Sequence, residues 1–194
     1  MPEQRAVVAL TDSRWFDFLR DKAIDGRLDE VNFWRQRAQN EFRSLSSGDP
    51  FFFRMKHPTN AIVGYGFFAT SSRLPIRFAW DAFEECNGDP SFERFVSRIA
   101  EYRHKQTAET AHSDITCIIL REVHFLSEGQ WIDWGQNQAW QRGIVAYKMY
   151  DLATGPGIVL RDLLRDDMPP ELRTTGFDLV SEDERTWAES LTAI

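Results

Sequence analysis

Apolar positions along this chain fall into short runs separated by polar turns, and the period of each run points to an element. Ala6-Val7-Val8-Ala9-Leu10 is a continuous apolar run that reads as a buried strand. Thr11, Asp12 and Ser13 follow with side-chain oxygens suited to capping a helix. That helix is expected over Arg14–Lys22, where Trp15, Phe18 and Leu19 share one face. Residues 23–30 are polar, contain Gly26 and read as a loop, and Val31-Asn32-Phe33-Trp34 reads as a short extended piece or bend. A helical turn over Ala38–Leu45, with Phe42 and Leu45 inward, would end at Ser46-Ser47-Gly48.

The strongest pattern lies between Gly48 and Ala69. The turn Gly48-Asp49-Pro50 leads into Phe51–Lys56, and His57-Pro58-Thr59-Asn60 leads into Ala61–Ala69. Two aromatic and β-branched runs bounded by Gly, Pro, Asn and Asp read as neighbouring strands. Gly64 and Gly66 share a face of the second strand, which points to a bulge, to tight packing, or to a close approach of something to the backbone.

Beyond a break at Ser71–Pro75, a short helix is expected over Phe78–Cys86 with Ala79, Ala82 and Phe83 inward. A better one starts at the Ser91 cap and runs to Lys105, burying Phe92, Phe95, Val96, Ile99 and Tyr102, with Arg94, Arg98 and Lys105 on a solvated face. Residues 106–114 read as loop, Ile115–Leu126 as a strong strand, 131–140 as irregular, and Gly143–Asp151 as another strand. Ala153–Gly157 marks a boundary, followed by an amphipathic helix at Ile158–Leu164, an acidic stretch, and a last helix at Glu182–Leu191. Strands that do not alternate regularly with helices predict an α+β fold, a mixed sheet or open barrel rather than a doubly wound parallel sheet. The expected organisation is one domain over 1–152 and a C-terminal extension or linker over 153–194.

Charge refines this picture. Positive and negative side chains balance over residues 1–110, and residues 111–194 carry the whole net charge of −7. A broadly basic, non-specific nucleic-acid binder is therefore excluded, whereas a local basic face in the first half is not. No stretch approaches the roughly 18 consecutive apolar residues of a membrane span. The N-terminal MPEQRAVVAL has no signal-peptide pattern, and Cys86 and Cys117 read as reduced core thiols, so a cytoplasmic location is expected.

The chemistry of most enzyme classes is missing. His57, His104, His112 and His124 are scattered without metal-ligand spacing, and CxxC, HExxH, Walker A and GxSxG motifs do not occur. The pairs Glu84-Glu85 and Asp166-Asp167 read as solvated charge. No catalytic residue, metal or cofactor is expected. The suggestive set is instead amides and tryptophans in irregular segments: Asn32, Trp34, Trp131, Trp134, Gln138, Trp140 and Gln141. Aromatic faces stack on bases and amides hydrogen-bond their polar edges, although the same tryptophans would also plug the open ends of a small barrel.

The order of these features resembles EVE-type members of the PUA-like superfamily, kin to the YTH, ASCH and SRA domains. The matching stretches are VVALTDSRW (Val7–Trp15), VNFWR (Val31–Arg35), GDPFFF (Gly48–Phe53) and the Ile62-Val63-Gly64 strand. Together with LPIRFAWDAFEECNG and the late YKMYDLATGPG, they are similar to N-terminal domains of bacterial HNH endonucleases over roughly residues 5–160. The late strand departs from that family's Gly-Lys-Thr-Tyr pattern with Ala146-Tyr147-Lys148-Met149-Tyr150.

The resemblance implies a PUA-like open barrel of five or six strands with flanking helices. It implies a non-catalytic module that reads a modified base in DNA by flipping it, with an HNH nuclease module in cis. The pocket is expected where the exit of the first strand, the Asn32–Trp34 segment and the end of the Gly64–Phe68 strand meet. Trp34 and Trp15 are its candidate walls, Asn32 and Asp12 the readers of base edges, and Phe67 and Tyr65 further base contacts. Trp131, Trp134 and Gln141 form the candidate rim, and Arg14, Arg35, Arg37 and Lys148 the candidate phosphate contacts. Two other readings stay open: an RNA-binding module of the ASCH or YTH sort, and a small-molecule or protein-interaction domain.

Overall fold

Seven strands pair into one sheet in the computed structural model, which describes residues 5–36, 45–134 and 146–167. They are β1 (Arg5–Thr11), β2 (Arg27–Asn32), β3 (Pro50–Met55), β4 (Ala61–Pro75), β5 (Asp114–Phe125), β6 (Ile132–Asp133) and β7 (Tyr147–Asp151). The order is β2-β5-β4-β3-β1-β7, with β6 pairing the first residues of β4. β1 runs parallel to β3 and every other pair is antiparallel. The helices are α1 (Ser13–Lys22), α2 (Ile76–Phe83), α3 (Phe92–Arg103), α4 (Thr107–Ala111) and α5 (Pro156–Asp167). The fold is therefore mixed α+β.

The sheet is open: among the described residues β2 and β7 are its edges and do not pair with each other. Two of the seven strands, β2 and β6, go beyond those read from the sequence. β2 lies partly in the stretch read as a loop, because an edge strand with the sequence RLDEVN sends its charged side chains to solvent and buries few positions. β6 has two residues, too few to show any period. β4 also runs through the expected break at Ser71–Pro75. Past Phe67 it has lost β3 as a neighbour and pairs β5 alone, so polar side chains are tolerated there and Pro75 closes the strand.

Two cores form on this frame. Val7 and Ala9 of β1, Phe51 and Phe53 of β3, Val63 of β4, and Leu120, Val123 and Phe125 of β5 pack with Trp15, Phe16 and Leu19 of α1. The opposite face of β5 (Ile115, Cys117, Ile119) packs with Ile76 and Ala79 of α2 and Phe95, Val96 and Ile99 of α3. Buried on both faces, β5 reads as one continuous apolar run in the sequence. Gly64 sits opposite Phe53 beside a register shift between β3 and β4. A Cβ there would lie 2.5 Å from the His124 carbonyl oxygen and 3.0 Å from the Phe53 ring, so the glycine lets β5 and the ring close on β4.

Of the three residues suited to cap α1, Asp12 does so, accepting from the Trp15 amide, and Ser91 caps α3 where expected, accepting from the Arg94 amide. The chain divides into two units, residues 1–151 and 152–194. In the second, α5 begins two residues before the expected helix at Ile158 and extends to Asp167. The expected turn over Ala38–Leu45, save Leu45 itself, and the helix at Glu182–Leu191 lie outside the described residues. Cys86 and Cys117 are free thiols. No helix among the described residues is long and apolar enough to cross a membrane.

Candidate functional site

The end of β1, the start of α1 and the strand-like segment that continues β2 converge on a cavity of about 390 Å³. Ala9, Leu10, Asp12 and Trp15 line it from the first two, and Phe33, Trp34, Arg35 and Gln36 from the third. The remaining wall comes from Phe51 and Lys56 on and just past β3, Tyr102 on α3, Ile118 on β5, and Ala146 and Tyr147 at the start of β7. The lining is aromatic, and the cations Arg35 and Lys56 stand among it. The Arg35 guanidinium lies 5.5 Å from the centre of the Tyr147 ring. Segment 33–36 is held against β5 by Phe33 N–H to the Ile118 carbonyl (2.8 Å) and Arg35 N–H to the Thr116 carbonyl (2.8 Å). Arg103 holds its far end, donating from Nε to the Gln36 carbonyl at 2.6 Å and from Nη2 to the Asp114 carbonyl at 2.6 Å.

The frame behind the cavity is a buried amide pair. Asn32 Nδ2 donates to Asn87 Oδ1 (2.8 Å), and Asn32 Oδ1 accepts from the Ile118 amide (3.2 Å). Asn87 Nδ2 donates to the carbonyls of Ala79 (3.1 Å) and Glu84 (2.9 Å). Two indoles hang from this pair: Trp15 Nε1 donates to the Asn32 carbonyl (3.2 Å) and Trp34 Nε1 to the Asn87 carbonyl (2.9 Å). Both rings are thereby fixed at the cavity wall. Trp15 meets Phe33 and Phe53 edge-on, and Trp34 meets Phe95 and Tyr102 in the same way.

A charged relay runs from the cavity inward. Asp12 accepts from the Tyr102 hydroxyl and from Arg98 Nη1 (3.5 Å), and Arg98 Nη2 pairs with Asp89 at 2.7 Å. Burial pushes the Asp12 carboxyl up, but the Tyr102 hydroxyl, the Trp15 amide and the Arg98 and Arg14 charges outweigh it, leaving the group below its ordinary value. Burial and the bond to Asp12 push Tyr102 up to about 12. Burial also dominates at Asp89, raising it to about 6 despite Arg98, and its Oδ2 accepts no hydrogen bond among the described residues.

The two carboxyls oppose each other in pH. A carboxyl raised to about 6 from 3.8 keeps its proton in the folded state where the unfolded chain has lost it. Its stabilising contribution is therefore complete below pH 3.8 and lost as the pH rises through 6. Asp12, depressed, contributes above its ordinary value and loses that contribution as acid protonates the folded state. The melting temperature of the native protein is expected to rise relative to that of Asp89→Asn as the pH falls from 7 to 4. A difference that stays constant over that window would refute the assignment.

The positions singled out from sequence separate into three groups. Trp34, Trp15, Asp12 and Arg35 line the cavity. Asn32, Tyr65, Phe67, Trp131, Trp134, Arg14 and Lys148 do not. Asn32 is 0 % exposed because its amide is taken up by the Asn87 pair. Tyr65 and Phe67 stand opposite Phe52 and Pro50, on the other face of the sheet from Phe51 and Phe53, and the Tyr65 hydroxyl bonds His124 Nδ1 (3.1 Å). Trp131 donates to the Leu126 carbonyl (3.0 Å), and buried Trp134 packs edge-on against Tyr150.

Arg14 is paired with Glu101 (3.0 Å), which raises its already high pKa further, and Lys148 lies over the Tyr150 ring at 5.2 Å. Strand alternation places Lys148 on the face of β7 opposite Tyr147. Arg37 and Gln141 lie outside the described residues. Arg98, expected on a solvated face, is 8 % exposed and paired, because α3 turns that side toward Asp12 and Asp89. Phe33, Gln36, Phe51, Lys56, Tyr102 and Tyr147 line the cavity without having been singled out for it. Tyr147 lies on a strand legible in the sequence, but its place beside β1 comes only from the structure; Gln36 and Lys56 carried no signal. Among the described residues no three His, Cys, Asp or Glu side chains form a cluster that could hold a metal ion.

No family model matches the chain, and no curated protein matches it in sequence. The fold is similar to that of the ASCH protein from Zymomonas mobilis, with a TM-score of 0.52 and 10 % identity over 80 % of this chain and 94 % of that one. A serine-to-alanine variant of the same protein aligns with a TM-score of 0.53, also at 10 % identity, over 84 % and 98 % of the two chains. At this identity the likeness is one of fold alone.

Proposed function

We propose that this protein is a nucleic-acid-binding module that takes one unstacked base into the cavity between β1, α1 and segment 33–36. The observation that carries the reading is the lining itself, in which the ring of Trp34, fixed by Asn87, and the rings of Phe33 and Tyr147 share the wall with the cations Arg35 and Lys56. A base presents π-faces to such rings and its phosphates to such cations. The volume of about 390 Å³ falls within the range of small-ligand sites, roughly 300–1,000 Å³. Asp12, the carboxylate among the lining residues, is engaged by the Trp15 amide, Tyr102 and Arg98, which suits a binding site better than a catalytic one.

The sequence resemblance to the specificity domains of HNH endonucleases favours a modified base flipped from duplex DNA, with a nuclease module in cis as partner. The fold likeness favours the second reading, a single-stranded RNA site of the ASCH sort. In both, Trp34 and Tyr147 act as stacking surfaces and Arg35 and Lys56 as phosphate contacts.

The test is a fluorescence titration at low and moderate salt. It compares one duplex carrying cytosine, 5-methylcytosine or 5-hydroxymethylcytosine with the same sequence as single-stranded RNA. Stacking contributes about 1–3 kcal/mol per base, so Trp34→Ala is expected to weaken binding about ten-fold or more. Because Trp34 also bonds Asn87, Lys56→Ala supplies a variant whose side chain makes no hydrogen bond or ion pair among the described residues; it should lower affinity across sequences and flatten the salt dependence. Preference for one modified duplex supports the DNA reading and preference for the single strand the RNA reading. Salt-independent binding, or none, sinks both.

A further inference from the structure

Asp12 is the only carboxylate among the described residues that line the cavity, and 20 % of its side chain is exposed. Two close bonds fix it: Oδ1 accepts from the Trp15 amide at 2.9 Å and Oδ2 from the Tyr102 hydroxyl. Arg98 and Arg14 come no nearer to Oδ1 than 3.5 and 3.8 Å, and each has a closer carboxylate, Asp89 at 2.7 Å and Glu101 at 3.0 Å. Each Asp12 oxygen thus makes one close hydrogen bond and keeps a second lone pair. Burial notwithstanding, these neighbours hold the carboxyl below its ordinary value, so it is ionised at neutral pH. An ionised carboxylate only accepts, at both oxygens alike, so whichever one meets a ligand asks it for a donor.

We infer that Asp12 is the specificity-determining residue of the cavity and that the base it selects is guanine. The inference rests on the base-binding reading above and narrows it. Among the standard bases guanine alone carries two adjacent donors on one edge, the ring N1–H and the N2 amino group, which match the two oxygens of one carboxylate. Adenine and cytosine set a ring acceptor beside their amino group, and uracil and thymine flank their ring N–H with carbonyls. Those lone pairs would face the carboxylate. A guanidinium also offers paired donors, but Arg35 and Lys56 in the same lining repel a further cation and attract phosphate. A neutral ring on an anionic backbone satisfies both signs.

The experiment measures binding of short single strands, prepared as RNA and as DNA, in which one central base of a uracil or thymine tract is replaced by guanine, hypoxanthine, adenine or cytosine. Hypoxanthine is guanine without the N2 amino group. Guanine is expected to bind about ten-fold more tightly than hypoxanthine, the size of one hydrogen bond to a charged group, and to exceed adenine and cytosine by more. Asp12→Asn can still cap α1 but turns one acceptor into a donor, and should reduce the guanine-to-hypoxanthine ratio to about one. Tyr102→Phe keeps the carboxylate and should preserve the ratio even where every strand binds more weakly. A native ratio near one, tighter binding of adenine or cytosine, or an unchanged ratio in Asp12→Asn overturns the role of Asp12 while leaving base binding intact. A ratio lost in Tyr102→Phe also overturns it, since the phenol would then be reading the base. Failure of every strand to bind overturns the inference together with the reading on which it rests.

Discussion

Asn87→Ala is expected to lower the free energy of unfolding by about 3–5 kcal/mol, a large share of the roughly 5–15 kcal/mol typical of a natural domain. The side chain is fully buried and makes three hydrogen bonds: one accepted from Asn32 Nδ2 and two donated to the carbonyls of Ala79 and Glu84. Alanine removes all three and leaves the Asn32 amide without its partner in a dry interior, at about 1–3 kcal/mol for each buried group left unsatisfied. The consequence extends beyond stability, because the Asn87 backbone carbonyl holds the Trp34 indole and the Asn32 carbonyl holds that of Trp15. Denaturant unfolding followed by tryptophan fluorescence reads both effects. In a cycle with Asn32→Ala the two losses should be non-additive, since they share one bond. A loss below about 1 kcal/mol for Asn87→Ala would mean that the amide pair is not the frame of the site.

The second large effect is expected one residue later. Gly88 has φ +84°, a left-handed conformation that costs an alanine about 1–2 kcal/mol. A Cβ would also overlap Trp15 Cδ1, with Cγ at 2.7 Å and Nε1 at 2.8 Å. The indole cannot swing aside, since it is buried between Phe33 and Phe53 and bonded to Asn32. Overpacking of this kind costs typically about 1–3 kcal/mol more. Gly88→Ala should therefore destabilise by about 3 kcal/mol or more and displace a ring that lines the cavity. Gly129→Ala, where a Cβ meets nothing within 4 Å, is the neutral comparison. Similar stabilities for the two variants would show that Trp15 has room to move.

Much of the frame could be read locally. The run from Ala6 to Leu10, the Asp12 and Ser91 caps, the aromatic pair of strands around His57–Asn60 and the long apolar strand at Ile115 each carry their signal within ten or so neighbouring residues, and each forms close to where the pattern places it. Capping, strand alternation and turn chemistry depend on near neighbours, so sequence suffices for them. The convergence of the first strand's exit with the Trp34 segment is what the family resemblance implies, and the end of the Gly64–Phe68 strand, expected there as well, does not line the cavity. β2 escaped because its exposed edge leaves a charged sequence, and β6 because two residues have no period.

The roles of individual side chains within that frame are another matter. Asn32 has the composition of a base reader and is instead a beam, since its partner Asn87 comes from a turn 55 residues away. Arg98 sits on the helix side away from the apolar spacing of Phe92, Phe95, Val96, Ile99 and Tyr102, and is buried because Asp12, 86 residues distant, and Asp89 meet it there. Lys56, Tyr102 and Gln36 reach the cavity from three separate elements with no shared motif. By itself the sequence determined β1, β3, β5 and α3 with its Ser91 cap, because those follow from periods and hydrogen bonds closed within a few residues. Only the tertiary structure decided which polar groups face a ligand and which face each other, because a hydrogen bond across the core depends on where two distant segments come to rest.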